Sequence, residues 1–99
     1  MTLEEFKVSL SDQTPPKHVT GLLLALWYDG KDDWEQAHNI AQDVDSTDGS
    51  WIHAYLHRKE GDIGNAGYWY RQAGQPVAKD SLEAEWERIV AALSGGGQA

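Results

Sequence analysis

The stretch Trp51-Ile52-His53-Ala54-Tyr55-Leu56-His57-Arg58-Lys59-Glu60-Gly61-Asp62-Ile63-Gly64-Asn65-Ala66-Gly67-Tyr68-Trp69-Tyr70-Arg71-Gln72-Ala73 reads as two helices folded against each other. Trp51, Ile52, Ala54, Tyr55 and Leu56 give the first helix its apolar side. Gly61 stops it, because glycine enters the left-handed backbone that ends a helix without steric cost. Asp62 restarts the chain at once as the cap of a second helix, whose inward side carries Ile63, Ala66, Trp69, Tyr70 and Ala73. Gly64 and Gly67 each cost that helix about 1 kcal/mol of propensity, and residues so small permit close contact with a neighbouring helix.

Upstream, the sequence repeats the same plan. Thr14 as a cap, Pro15 in the first turn, and Val19, Leu22, Leu23, Leu26 and Trp27 on one stripe predict a helix that stops at Asp29-Gly30. Asp32 or Asp33 caps the next, with Trp34, Ala37, Ile40, Ala41 and Val44 inward. The turn formers Asp45 to Gly49 predict a loop. A shift of 29 residues pairs Ala25 with Ala54, Trp27 with Leu56, Ala37 with Ala66, Ile40 with Trp69 and Val44 with Ala73, so the first hairpin is a degenerate copy of the second.

Two more helices flank the pair. Thr2 and Glu5 form a capping box for a short helix through Leu3, Phe6 and Leu10 that ends near Ser11. Asp80 and Glu83 open an amphipathic one with Leu82, Trp86, Ile89, Val90 and Leu93 inward. The expectation is an all-α fold of five or six helices: two stacked helix-turn-helix hairpins with N- and C-terminal capping helices, in a single domain over residues 1–94. Residues 95–99 are expected to be a disordered tail.

Between about residues 50 and 76, Ala54 precedes Gly61, Ala66 follows five later, then come Tyr70, Ala73 and Pro76. This resembles a tetratricopeptide repeat, in which small residues let paired helices approach and a large aromatic fills the space between hairpins. The first hairpin departs from the pattern, with Gly30 and Ala37 seven apart, and in the second the proline comes slightly early. The string from His53 through His57, Arg58, Glu60-Gly61-Asp62 and Asn65-Ala66 to Tyr68-Trp69-Tyr70-Arg71 also resembles a small uncharacterised helical family, which implies the fold and no particular activity.

The tetratricopeptide resemblance implies that the first helix of each hairpin lines a concave binding surface. Trp51, Tyr55, Arg58 and Lys59 then form a ligand-binding stripe for a protein or peptide, with Arg58 able to grip a carboxylate through two N–H groups. The competing reading has Arg58 stacked on Trp51 or Tyr55 and paired with an acid of its own chain.

His53 and His57 stand four apart, with Glu60 a turn further on and His38 on the preceding helix. Two imidazoles one helical turn apart converge on one divalent ion, and a carboxylate extends the set, so His38, His53, His57 and Glu60 are candidate metal ligands. The tetratricopeptide resemblance implies instead that His53 and His57 face the partner helix as packing residues, donating to backbone carbonyls or to Glu60. Both readings stand at this level. The metalloprotease spacing is absent, since Ala54 follows His53, and Asp43, Asp45 and Asp48-Gly49 are out of register with a calcium loop. Tyr68 is expected to be covered by another segment, and His18 to lie at the surface.

Ninety-nine residues suffice for one core, and 16 acids against 8 bases give a formal charge of −8, which disfavours nucleic acid and anionic lipid. Cysteine is absent, which removes disulfides and thiolate ligands. The longest apolar run, Leu22 to Tyr28, is too short to span a bilayer, and the start lacks the character of a signal peptide, so a cytoplasmic location without membrane contact is expected. The function expected is a protein or peptide interaction module without cofactor and without catalysis. The alternative is a metal-dependent enzyme or metal-binding protein built on the His/Glu cluster. Five tryptophans leave room for a third reading, a homodimer joined through an apolar face.

Overall fold

The computed structural model describes residues 1–94, so the expected C-terminal tail lies outside the described residues. Six helices and no strand occur among them: α1 (Leu3–Ser9), α2 (Gly21–Gly30), α3 (Trp34–Gln42), α4 (Thr47–Lys59), α5 (Ile63–Ala73) and α6 (Leu82–Ser94). The Thr2–Glu5 capping box forms as expected. Asp33 caps α3 and Asp62 caps α5, each accepting the N–H of the residue three further on.

The organising element is α4. Its residues from Trp51 to His57 are all buried, and it packs on α2, α3, α5 and α6. A helix buried all round has no polar face to spare, so each polar side chain it carries must find a partner inside. Helices α2 with α3 and α4 with α5 form the two most extensive pairings, joined through α3 against α4, while α6 lies on α1, α2 and α4. The interior includes Phe6, Leu26, Trp27, Ile52, Leu56 and Ile89. No buried side-chain nitrogen or oxygen among the described residues lacks a hydrogen-bond partner.

Several boundaries differ from the sequence expectation for identifiable reasons. Helix α2 begins at Gly21 rather than after Thr14. Consecutive prolines at 15 and 16 keep the preceding residues out of the helical region, and the chain instead turns, with Val19 donating to the Pro16 carbonyl. The run expected as a loop after Asp45 supplies the first turn of α4, because Ser46 accepts from the Gly49 N–H and so starts the helix. A Cβ on Gly49 would meet the Val44 carbonyl oxygen at 2.3 Å, which explains a glycine inside that turn. At α6 the cap is Ser81, which accepts from the Ala84 N–H, whereas Asp80 pairs with Arg88. Ile63 and Tyr68 are exposed rather than packed.

Candidate metal centre

Helices α3 and α4 bring His38 and His53 face to edge, with their Nε2 atoms 3.0 Å apart. His57, one turn further along α4, stacks on His53 at 4.8 Å between ring centroids. One ring nitrogen from each of His38, His53 and His57 lies within 4.8 Å of those from the other two. Two tryptophans frame the cluster: Trp34 stacks on His38 at 4.7 Å, and Trp69 of α5 stacks on His53 at 4.1 Å. Trp34 is itself fixed by donating its Nε1–H to the Leu56 carbonyl, so the aromatic walls are tied to the helix that carries two of the histidines.

Protonation follows from this packing. Burial, then the neighbouring His38 and His57, push the His53 pKa down from 6.5 to about 4. The His38 pKa is also lowered, first by burial and then by His57, with Glu60 opposing. These two rings are therefore neutral at pH 7, each carrying one N–H and one lone pair, and between the two Nε2 atoms one donates and the other accepts. Two neutral imidazole nitrogens 3.0 Å apart can share a proton or share a cation.

His57 is oriented from outside the triad. Its Nδ1 lies 2.7 Å from a Glu60 carboxylate oxygen and 4.0 Å from Asp62, while Asn65 of α5 approaches its Nε2 at 3.5 Å. A carboxylate on Nδ1 fixes that nitrogen as the protonated one and makes Nε2 the acceptor, which the Asn65 amide approaches in this structure. Glu60, expected from the sequence as a direct ligand, is thus engaged with His57 behind the cluster. The histidines occupy the interhelical positions that the packing reading implied, and the same positions bring their nitrogens together.

The stripe Trp51, Tyr55, Arg58 and Lys59 is engaged inside the chain. Trp51 donates Nε1–H to Glu85 at 3.2 Å, and Arg58 pairs with the same carboxylate at 2.8 Å. Tyr70 donates its hydroxyl to Glu85 as well. Tyr55 donates its hydroxyl to Asp29 at 2.8 Å, and Lys59 pairs with Asp29 at 2.8 Å. Burial and the acceptors push both tyrosine pKa values up, so both phenols stay neutral donors. Glu85 and Asp29 are 0% and 2% exposed, and the sequence reading missed both. The signal was present: Asp29 continues the stripe Leu22, Leu26 at helical spacing, and Glu85 falls between Leu82 and Ile89 on the inward stripe of α6.

A cavity of about 320 Å³ is lined by Tyr55, Lys59, Asp29, Leu82 and Trp86 among others, and a smaller one of about 140 Å³ lies against His53 and Trp69. None of the helices among the described residues is long and apolar enough to cross a membrane. No family model, curated protein or solved structure matches the chain.

Proposed function

We propose that this chain is a metal-binding helical protein that holds one divalent transition-metal ion with His38, His53 and His57, oriented by Glu60 behind His57. The observation that carries this reading is the convergence of three imidazoles from two helices, two of them with Nε2 atoms 3.0 Å apart. Two Zn–N bonds at the tetrahedral angle put their nitrogens about 3.3 Å apart, close to the spacing of the His38–His53 pair, and the ion would take the place of the proton the two nitrogens share. His57 needs a shift of about 1.5 Å at most to join them. An all-imidazole set suits zinc, copper, iron or nickel and disfavours magnesium and calcium.

The test is calorimetric titration of metal-stripped, untagged protein with zinc, alongside thermal melting. A stoichiometry of one and a rise in Tm of about 10 °C at saturating metal are expected, and both should vanish in His38→Gln plus His53→Gln. No heat and no shift in the native chain would leave the triad as a packing feature.

A second reading, a tetratricopeptide-like module for a protein or peptide, is supported by the larger cavity, whose lining includes Tyr55 and Lys59. Its occupant would displace part of the Lys59–Asp29 pair. Capture of a partner that survives Lys59→Ala unchanged would count against it.

A further inference from the structure

We infer that the cavity of about 320 Å³ is an ammonium site in which Lys59 stands in for the ligand: a primary amine on a short apolar body displaces the Lys59 Nζ from the buried Asp29 carboxylate. The cavity shares no residue with the histidine cluster, so the site is independent of the metal reading and rests on the second reading only in using the same cavity.

Asp29 forms the floor. It is 2% exposed, and its two carboxylate oxygens accept from the Tyr55 hydroxyl and from the Lys59 Nζ, each at 2.8 Å. A hydroxyl supplies no charge, so the buried carboxylate needs a cation on its other oxygen. Lys59 provides one from the last residue of α4, through a side chain that is still 30% exposed. Letting that side chain swing into water returns the rotamer freedom its fixed position costs, and a ligand ammonium keeps Asp29 paired.

Charge selects a cation. Asp29, Asp32 and Glu83 line the cavity against Lys7 and Lys59. Both lysines are already paired, Lys59 with Asp29 and Lys7 with Glu87 at 2.8 Å, whereas Asp32 and Glu83 have no ion pair among the described residues and Glu83 acts on Lys7 only at longer range. An anion would have to break one of those pairs. Helices α2 and α4 end at the cavity with Gly30 and Lys59, and C-terminal carbonyls favour positive charge; α6 begins there, and its first turn carries Glu83. Leu10, Leu82 and Trp86 supply an apolar wall, with Trp86 fixed by donating its Nε1–H to the Leu26 carbonyl at 3.1 Å. Such a lining takes a hydrocarbon or aromatic body behind the ammonium, at a volume that suits a small ligand.

The experiment follows the full, metal-stripped chain by proton–nitrogen NMR while phenethylamine, hydrocinnamate and N-acetyl-lysine methylamide are added separately. Saturable shifts at the amides of Gly30, Asp32, Tyr55 and Lys59 are expected with phenethylamine, at about tenfold lower concentration than with hydrocinnamate. Lys59→Ala, which removes the competing ammonium, should tighten phenethylamine binding about tenfold, a gain that a purely structural ion pair would not give. Asp29→Asn should weaken it about tenfold, and Asp32→Asn plus Glu83→Gln, both at exposed positions and safe for folding, about threefold. Binding of phenethylamine without binding of the blocked lysine would support the ammonium site and count against a peptide occupant. No saturable shift, shifts confined to other residues, an equal response to hydrocinnamate, or unchanged affinity in Lys59→Ala would each overturn the site.

Discussion

His38 on α3 and His53 on α4 place their Nε2 atoms 3.0 Å apart, and this one contact decides how the centre of the molecule behaves with acid and with metal. Without a metal the contact is a hydrogen bond between neutral rings, one nitrogen donating and the other accepting. Protonating both rings removes the acceptor and sets two cations side by side in a buried place.

The acid response follows with a definite sign. The His53 pKa is about 4 in the folded chain against 6.5 for an unburied histidine, so the unfolded chain takes up the proton first as pH falls. The stability that this neutral ring contributes is present in full above about pH 6.5 and is lost between there and pH 4, on the order of 3 kcal/mol. The lowered His38 adds in the same direction, and Glu60, which faces the cluster through His57, opposes it. Urea unfolding of chelator-treated protein at pH 7.5, 5.5 and 4.5 should show this loss, and His53→Leu should flatten it. An equally steep loss in His53→Leu would place its origin elsewhere.

Glu60→Gln separates orientation from ligation. Glu60 holds His57 Nδ1 at 2.7 Å from a half-exposed position, so its loss should leave the apo fold nearly as stable while weakening zinc binding about 10- to 100-fold. Asp62→Asn, whose carboxylate is 4.0 Å from the same nitrogen, should have a smaller effect. Competition titration against a chromophoric chelator measures both. Equal zinc affinity in Glu60→Gln would remove Glu60 from the site.

The buried carboxylate Glu85 is a structural demand of a different kind. Trp51, Arg58 and Tyr70 all direct donors at it, so Glu85→Ala leaves an indole N–H and a hydroxyl without their acceptor and the Arg58 guanidinium with only the Asp80 carbonyl. A loss of about 3 to 5 kcal/mol is expected, because removing one partner of a buried pair strands the other. Tyr70→Phe removes one of the donors and should cost about 1 to 2 kcal/mol. Denaturant midpoints for the two variants check the order; a milder effect from Glu85→Ala than from Tyr70→Phe would contradict it.

The helices and the pairing of α4 with α5 were legible because apolar periodicity and Asp62 act locally, within a turn or two of chain. The start of α2 was hidden because Thr14-Pro15 carries a helix signal that the second proline overrides. The start of α4 was hidden because Ser46, Thr47, Asp48 and Gly49 serve equally as turn residues and as a first helical turn, and only the packing of Gly49 under Val44 selects between them. His38, His53, His57 and Glu60 could be singled out by type and spacing. Which atoms meet could not, since that depends on the crossing of α3 and α4 and on the rings of Trp34 and Trp69. The pairing of Arg58 with Glu85, 27 residues away, left no local trace except a lone acid on an apolar stripe.

The glycines make opposed predictions inside adjacent helices. Gly64 in α5 has nothing within 4 Å of the place a Cβ would occupy, and at Gly67 only the end of Arg71 comes as near as 4.0 Å. Alanine at either position therefore meets open space and gains helix propensity, about 0.5 to 1 kcal/mol each. Gly49→Ala is the reverse: its Cβ would lie 2.3 Å from the Val44 carbonyl oxygen, which is backbone and cannot swing aside. The same propensity gain is overwhelmed there, and a net loss of about 1 to 3 kcal/mol follows as the first turn of α4 is pushed off α3. Because Gly49 also lines the cavity beside His53, the displacement should weaken zinc binding, whereas Gly64→Ala and Gly67→Ala leave it unchanged. Melting temperatures with and without zinc for the three variants test both signs, and a Gly49→Ala chain as stable as the parent would show that the α3–α4 turn can yield.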